Sequence, residues 1–170
     1  MYITKNKAIQ LYCIFFALTI VFILLGFTIN INIEADYNLD PSLLEILINN
    51  LVVNGEAILF TIITAGIYSI LYLFREFVFL GAVVNSLRRK TTFIRAISFV
   101  GIHGVIEVPA IVLSATLGVI IFLSILNYLK SRKANWKFIG KLLIIDCLMI
   151  IMAALVESFI TPFMLKNYIL

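Results

Sequence analysis

An all-α, polytopic bundle of about five membrane-spanning helices is the fold class this sequence predicts, and three observations predict it. Of its 170 residues, 63% are hydrophobic and 13% charged, where an ordinary soluble domain has about a quarter charged. The mean hydropathy is +1.13. Uncharged stretches close to the roughly 20 residues that a spanning helix takes alternate with short charged connections. Residues 1–170 therefore read as one integral membrane domain, and any chemistry must come from the spans or their loops.

The net charge of +4 arises from 13 Lys+Arg against 9 Asp+Glu. The bases cluster between apolar runs, as in cytoplasmic loops drawn to anionic lipid, which excludes nucleic acid as a partner. Cys13 and Cys147 both fall in apolar runs, where cysteine behaves as a small buried hydrophobe. They form neither a disulfide framework nor a metal motif.

Taken in order, Lys5 and Lys7 precede an uncharged run from Leu11 to Ile29. It is longer than a signal-peptide core and no small-residue cleavage pattern follows, so residues 11–29 read as a retained first span with a cytoplasmic amino terminus. Glu34, Asp36, Asp40 and Glu45 mark residues 30–46 as an acidic outer loop. Asp40, Pro41 and Ser42 then signal a helix start, leading into a short amphipathic helix that ends at Asn54 and Gly55. A second span is expected over residues 57–74, closed by an interfacial pair, Arg75 and Glu76. Residues 77–87 are too few to cross before Arg88, Arg89 and Lys90. They are expected to lie along the inner surface or to re-enter the membrane.

Residues 91–129 carry basic clusters at both ends. Two inner flanks require an even number of crossings, so a helical hairpin is expected, with its tip at residues 101–110 and Arg95 snorkelling to the inner headgroups. Trp136 marks the inner interface of a last span, residues 138–158. Gly55, Gly66, Gly81, Gly118, Ala153 and Ala154 are small enough for helices to approach closely.

The hairpin tip, GIHGVIEVPA, concentrates the polar chemistry. His103, the sole histidine, precedes Glu107 by four residues, one helical turn on the same face. On the expected topology Glu56 and Glu157 reach the same outer half of the bilayer, while Asp146 lies deeper. Asn49, Asn50 and Asn85 are polar supports. Ionisable groups inside a bilayer are costly and by default mark a site.

Three uses compete. His103, Glu107 and Glu157 form an imidazole and carboxylate set suited to zinc or a similar divalent metal. An open position on the metal would activate water for peptide or glycan cleavage, with Glu56 as base. H-x-x-x-E is not, however, the H-E-x-x-H of zinc proteases. The same groups would also serve a proton or ion path, or simply pair with one another and with freed backbone groups. The catalytic candidates are thus Glu56, His103, Glu107 and Glu157. Ser114 and Thr116 lack a G-x-S-x-G setting and are expected to bond their own backbone. No phosphate-cradling glycine loop is present.

HGVIEVPAIVLSATLG at 103–118 and AALVESFITP at 153–162 resemble the stage II sporulation protein M family of bacterial membrane proteins, as does the upstream run over residues 48–84. The match is carried by His103, Gly104, Glu107, Pro109, Ala110, Gly118, Glu157, Phe159, Thr161 and Pro162, whereas Ile102 stands where the family usually has proline. The resemblance implies a multi-pass protein of the bacterial cell membrane in one of two settings. The namesake recruits peptidoglycan-degrading partners during sporulation. Short members occur with circular bacteriocins and take part in their maturation, cyclisation or export. The compact chain favours the second. The partners this leaves are the lipid bilayer, a hydrophobic peptide or membrane and cell-wall proteins, and a second copy of the chain.

Overall fold

The computed structural model describes residues 4–31, 42–160 and 162, without the side chains of Phe99, Val100, Ile102 and His103. Among them lie five long helices: α1 (Lys5–Phe27), α2 (Leu43–Ile63), α3 (Ile67–Lys90), α4 (Phe93–Leu129) and α5 (Trp136–Leu155). The last runs on into a π-helical turn, Val156–Ile160. Five helical segments are long and apolar enough to cross a membrane, so the all-α, five-span class holds. Most of the acidic outer segment, residues 32–41, lies outside the described residues.

Local signals set the helix starts. Thr4, Thr92 and Asn135 each use a side-chain oxygen to accept the backbone N–H three residues on, from Lys7, Arg95 and Phe138, satisfying one of the four donors a helix start leaves free. Helix α4 is the hub. It packs against α1, α2, α3 and α5, while α1 also packs on α3, and α2 on both α3 and α5. An uninterrupted run from Ala110 to Gly118 is buried. A helix covered on every side belongs in the middle of a bundle.

The expected hairpin is not formed. Residues 93–129 make one helix that runs straight through Gly101, Gly104 and Pro109. Proline lacks the N–H that would reach the carbonyl four residues back, but a membrane helix tolerates this where neighbours supply other contacts. The carbonyl freed is that of Val105, an exposed residue; the Tyr12 hydroxyl lies 3.5 Å from the carbonyl of Pro109 itself, the acceptor in that contact, and from Ala110 onward α4 is enclosed. The crossing number of this segment is therefore odd. Its two basic flanks sit at opposite ends of the bundle.

The second expected span, residues 57–74, is also replaced, because the apolar run hides a turn. Ala65 (φ 55°) and Gly66 (φ 96°) are both left-handed, and Gly66 N–H closes the turn on the Thr61 carbonyl at 2.8 Å. Thr64 Oγ1 accepts from Tyr68 N–H at 2.9 Å, starting α3. Asn54 does not end α2: its Nδ2 donates to the Asn50 carbonyl inside the helix. Residues 77–87 are the second half of α3 rather than a surface piece, with Phe77, Gly81, Ala82 and Asn85 buried. Arg75 and Glu76 sit within that helix, bonded to each other, Nε to Oε1, at 2.8 Å.

Levels along the bundle follow from named contacts. Asn85 Nδ2 donates to the Ile29 carbonyl at 3.0 Å, and the Arg88 guanidinium lies 4.6 Å from the centre of the Phe27 ring. The 88–90 cluster therefore lies where α1 finishes. At the other end Gly66 lies against Val119, and Ala8, Ile120 and Ile139 form one cluster. Counted from Gly66 at 1.5 Å per residue, Arg75 and Glu76 are about 13 and 15 Å into the bundle, near the middle of a hydrocarbon layer about 30 Å thick.

Two glycines let α1 and α3 touch backbone to backbone. A Cβ at Gly26 would fall 2.0 Å from the Val78 carbonyl oxygen, and one at Gly81 would fall 2.1 Å from that of Ile23. Gly118 likewise seats α4 on Thr61 of α2, whereas Gly55 has nothing within 4 Å. Cys13 and Cys147 are free and exposed on the outside of the bundle rather than buried.

Helices α4 and α5 are joined by a buried polar pair. Ser114 Oγ lies 2.9 and 3.1 Å from the two Asp146 carboxyl oxygens, with Ser114 0% and Asp146 2% exposed. Ser114 thus bonds across helices, while Thr116 bonds back to the Val112 carbonyl at 2.7 Å. Interhelical hydrogen bonds in membranes contribute about 0.6 to 2 kcal/mol. Ser114→Ala is expected to destabilise the bundle by about 1 kcal/mol in a reversible detergent-unfolding assay. Adding Asp146→Leu should recover most of that loss, since it removes the group left without a partner.

Candidate functional site

Near their turn α2 and α3 lie side by side. Phe60 and Tyr68 have ring centres 5.3 Å apart, and the Tyr72 hydroxyl is 3.3 Å from Asn54 Oδ1. One helical turn further along α3, at Glu76, a cavity of about 360 Å³ begins. Its apolar wall is formed by Phe77, Phe79, Leu80 and Val83 of α3 with Val108 and Ile111 of α4. Gly104 leaves room on the α4 side, where a Cβ would meet only Val108 Cγ2, at 3.6 Å.

Three carboxylates line this space: Glu76 from α3, Glu107 from α4 and Glu157 from the π-helical turn. Glu107 is in electrostatic reach of both others. The π turn has a structural part in this. It inserts one extra residue per turn, a feature that recurs at functional sites, and so changes the direction in which Glu157 leaves the end of α5. Asn50 of α2 turns its side chain toward the Glu157 carboxylate.

Charge is unbalanced here. Arg75 and Glu76 are ion-paired, and among the described residues neither Glu107 nor Glu157 has a basic partner. Carboxylates in an apolar setting favour a cationic or proton-donating guest, because burying an uncompensated charge is expensive. Among the described residues the cavity's lining of apolar side chains and carboxylates is therefore one that would suit a cationic guest. Glu157 lies 21 residues from Trp136, about 32 Å along the helix, so the site is in the half of the bundle where α1 finishes.

Of the expected site residues, Glu107 and Glu157 come together. Glu56 does not join them: it is exposed on α2, off the stripe of Asn54, Ala57 and Thr61 that α2 buries. A hydrolytic centre with Glu56 as its base is therefore not assembled. His103 occupies the α4 position just before Gly104, but its side chain lies outside the described residues. Among the described residues no three His, Cys, Asp or Glu side chains are grouped to hold a metal ion. Asp146 is bound to Ser114, away from the cavity lining.

Glu76 is the site group that sequence reasoning missed, whereas Asn50, expected as a polar support, stands beside Glu157. Glu76 looked like the end of a span. The signal that could have found it is the uncharged run from Phe77 to Leu87, which carries the helix onward and leaves Glu76 in its interior.

A family model described as Stage II sporulation protein M matches residues 8–162, most of the chain and all three cavity carboxylates. No curated protein matches the chain, and no solved structure does.

Proposed function

Because this chain belongs to the stage II sporulation protein M family, we propose that it serves in the bacterial cell membrane as a docking protein for a hydrophobic, basic helical peptide, in the maturation, cyclisation or export of a circular bacteriocin. The single observation that carries this reading is the cavity, in which three carboxylates stand among apolar walls. Ligand sites combine a mainly apolar lining with a few placed polar groups. Apolar side chains of the peptide would lie on Phe79, Leu80 and Val83, and a lysine or arginine would meet Glu107 and Glu157.

The amino terminus is assigned to the cytoplasm. The end of the bundle that holds Lys5, Lys7, Lys130, Arg132, Lys133 and Lys137 carries more bases than the end with Arg88, Arg89, Lys90 and Arg95, and basic excess marks the inner side. The cavity then lies in the outer half of the membrane, where a peptide leaving the cell passes.

The test is co-expression of the chain with a circular-bacteriocin precursor and its export machinery, with the closed peptide counted by mass spectrometry. Glu107→Gln with Glu157→Gln should cut the yield of closed, exported peptide at least tenfold while the protein stays in the membrane at its normal level. Full yield from that double variant would end this reading.

A further inference from the structure

Two charged side chains of the α2–α3 hairpin lie outside the cavity lining, although Arg75 is bonded to Glu76 of that lining. Glu56 is exposed, and the Arg75 side chain is 61% exposed. The same two helices expose apolar residues, among them Leu59, Phe60 and Leu71. Glu56 precedes Thr64 by eight residues and Arg75 follows Gly66 by nine, which places both about 12 to 13 Å from the turn. That depth is well inside the apolar layer.

Glu56 meets no hydrogen-bonding or ionic partner among the described residues. Ionisable groups within membrane spans are found paired, or facing protein or water, rather than turned toward lipid tails. Arg75 has donors to spare. Its Nε and one terminal nitrogen reach a single oxygen of Glu76, whereas a guanidinium carries five N–H groups in a planar fork.

We propose that the α2–α3 face joins two copies of this chain about a two-fold axis along the membrane normal, with Glu56 of each copy bonded to Arg75 of the other. A two-fold contact is self-complementary: if one residue meets a second, the second meets the first on the opposite side. An axis along the normal also preserves depth. It can pair only groups at equal height on the two helices of the face, one of each sign. Glu56 and Arg75 meet both conditions. Rotation sets α2 of one copy against α3 of the other, so each dimer gains two bridges. A foreign membrane protein would need a matching pair of its own, whereas the second copy already carries it.

The experiment mixes full-length chains carrying donor or acceptor dyes in lipid nanodiscs or vesicles and reads energy transfer. Wild-type chains should show transfer well above that of an unrelated monomeric membrane protein at equal density. Glu56→Lys alone and Arg75→Glu alone should each lower the association constant at least tenfold, because each sets like charges against one another. Mixing the two variants should restore transfer, since the lysine introduced in one would face the glutamate introduced in the other, while the native Glu56 and Arg75 of the opposite copies still meet. That recovery also shows that both variants fold. Transfer no greater than the control for wild type would overturn the proposal. So would single variants that pair normally, or a mixture that fails to recover.

Discussion

Gly81→Leu should prevent the bundle from closing, and it is the most damaging single change expected in this chain. A side chain there would start 2.1 Å from the Ile23 carbonyl oxygen and close to the Gly26 backbone. No rotamer choice relieves a clash with main-chain atoms. Overpacking a tight site commonly costs about 1–3 kcal/mol, and with backbone on the receiving side the loss should reach or exceed about 3 kcal/mol. Set against total stabilities of roughly 5–15 kcal/mol, this is a large fraction. The readout is the protease-resistant, membrane-inserted fraction of the expressed protein. Gly55→Ala supplies the contrast, because nothing stands within 4 Å of that position. It should be neutral or stabilising by up to about 1 kcal/mol through helix propensity.

Glu107→Lys is expected to have the largest effect on binding with the fold retained. The change places a cation between Glu76 and Glu157, the two groups that already act on position 107, and neutralises the cavity from within. Close charge pairs in interfaces couple by about 1.5–7 kcal/mol. Affinity for a basic hydrophobic peptide should therefore fall at least tenfold, which is about 1.4 kcal/mol. Titrating such a peptide against protein in nanodiscs measures it. An acidic peptide of the same apolar content should bind the variant better than it binds the wild type. If the basic peptide binds both forms equally, the carboxylates do not select the guest.

The fold class was legible in the sequence because it rests on bulk apolar content, which tertiary context does not reverse. The path of the chain was less so. Arg75 and Glu76 looked like a membrane boundary, because charge inside a span is costly for each residue taken alone; as neighbours they offset one another, and that offset is invisible to a hydropathy count. Residues 57–74 looked continuous because alanine and glycine at 65 and 66 are apolar, and their left-handed backbone leaves no mark on polarity. Pro109 misled in the opposite direction. Its local penalty is real, but a helix enclosed by four others does not break for one missing hydrogen bond.

At the site, Glu107 and Glu157 were legible from the two motifs that carry them, and the cavity of α4 and the π-helical turn brings them together. Glu56 was placed with them as the outer start of a span; the hidden turn at Ala65 and Gly66 instead sets it late in α2, nearer the opposite end of the bundle, and the buried stripe of Asn54, Ala57 and Thr61 turns it the other way.

The proline within α4 also has a mechanical consequence. Position 109 offers no amide hydrogen, so the ladder of bonds along this 37-residue rod lacks one rung between the enclosed stretch from Ala110 onward and the segment bearing Gly104 and Glu107. Flexure concentrates where a rung is absent. Any bend in this rod is therefore expected at that joint, between the segment that carries Gly104 and Glu107 and the interlocked stretch from Ala110 onward.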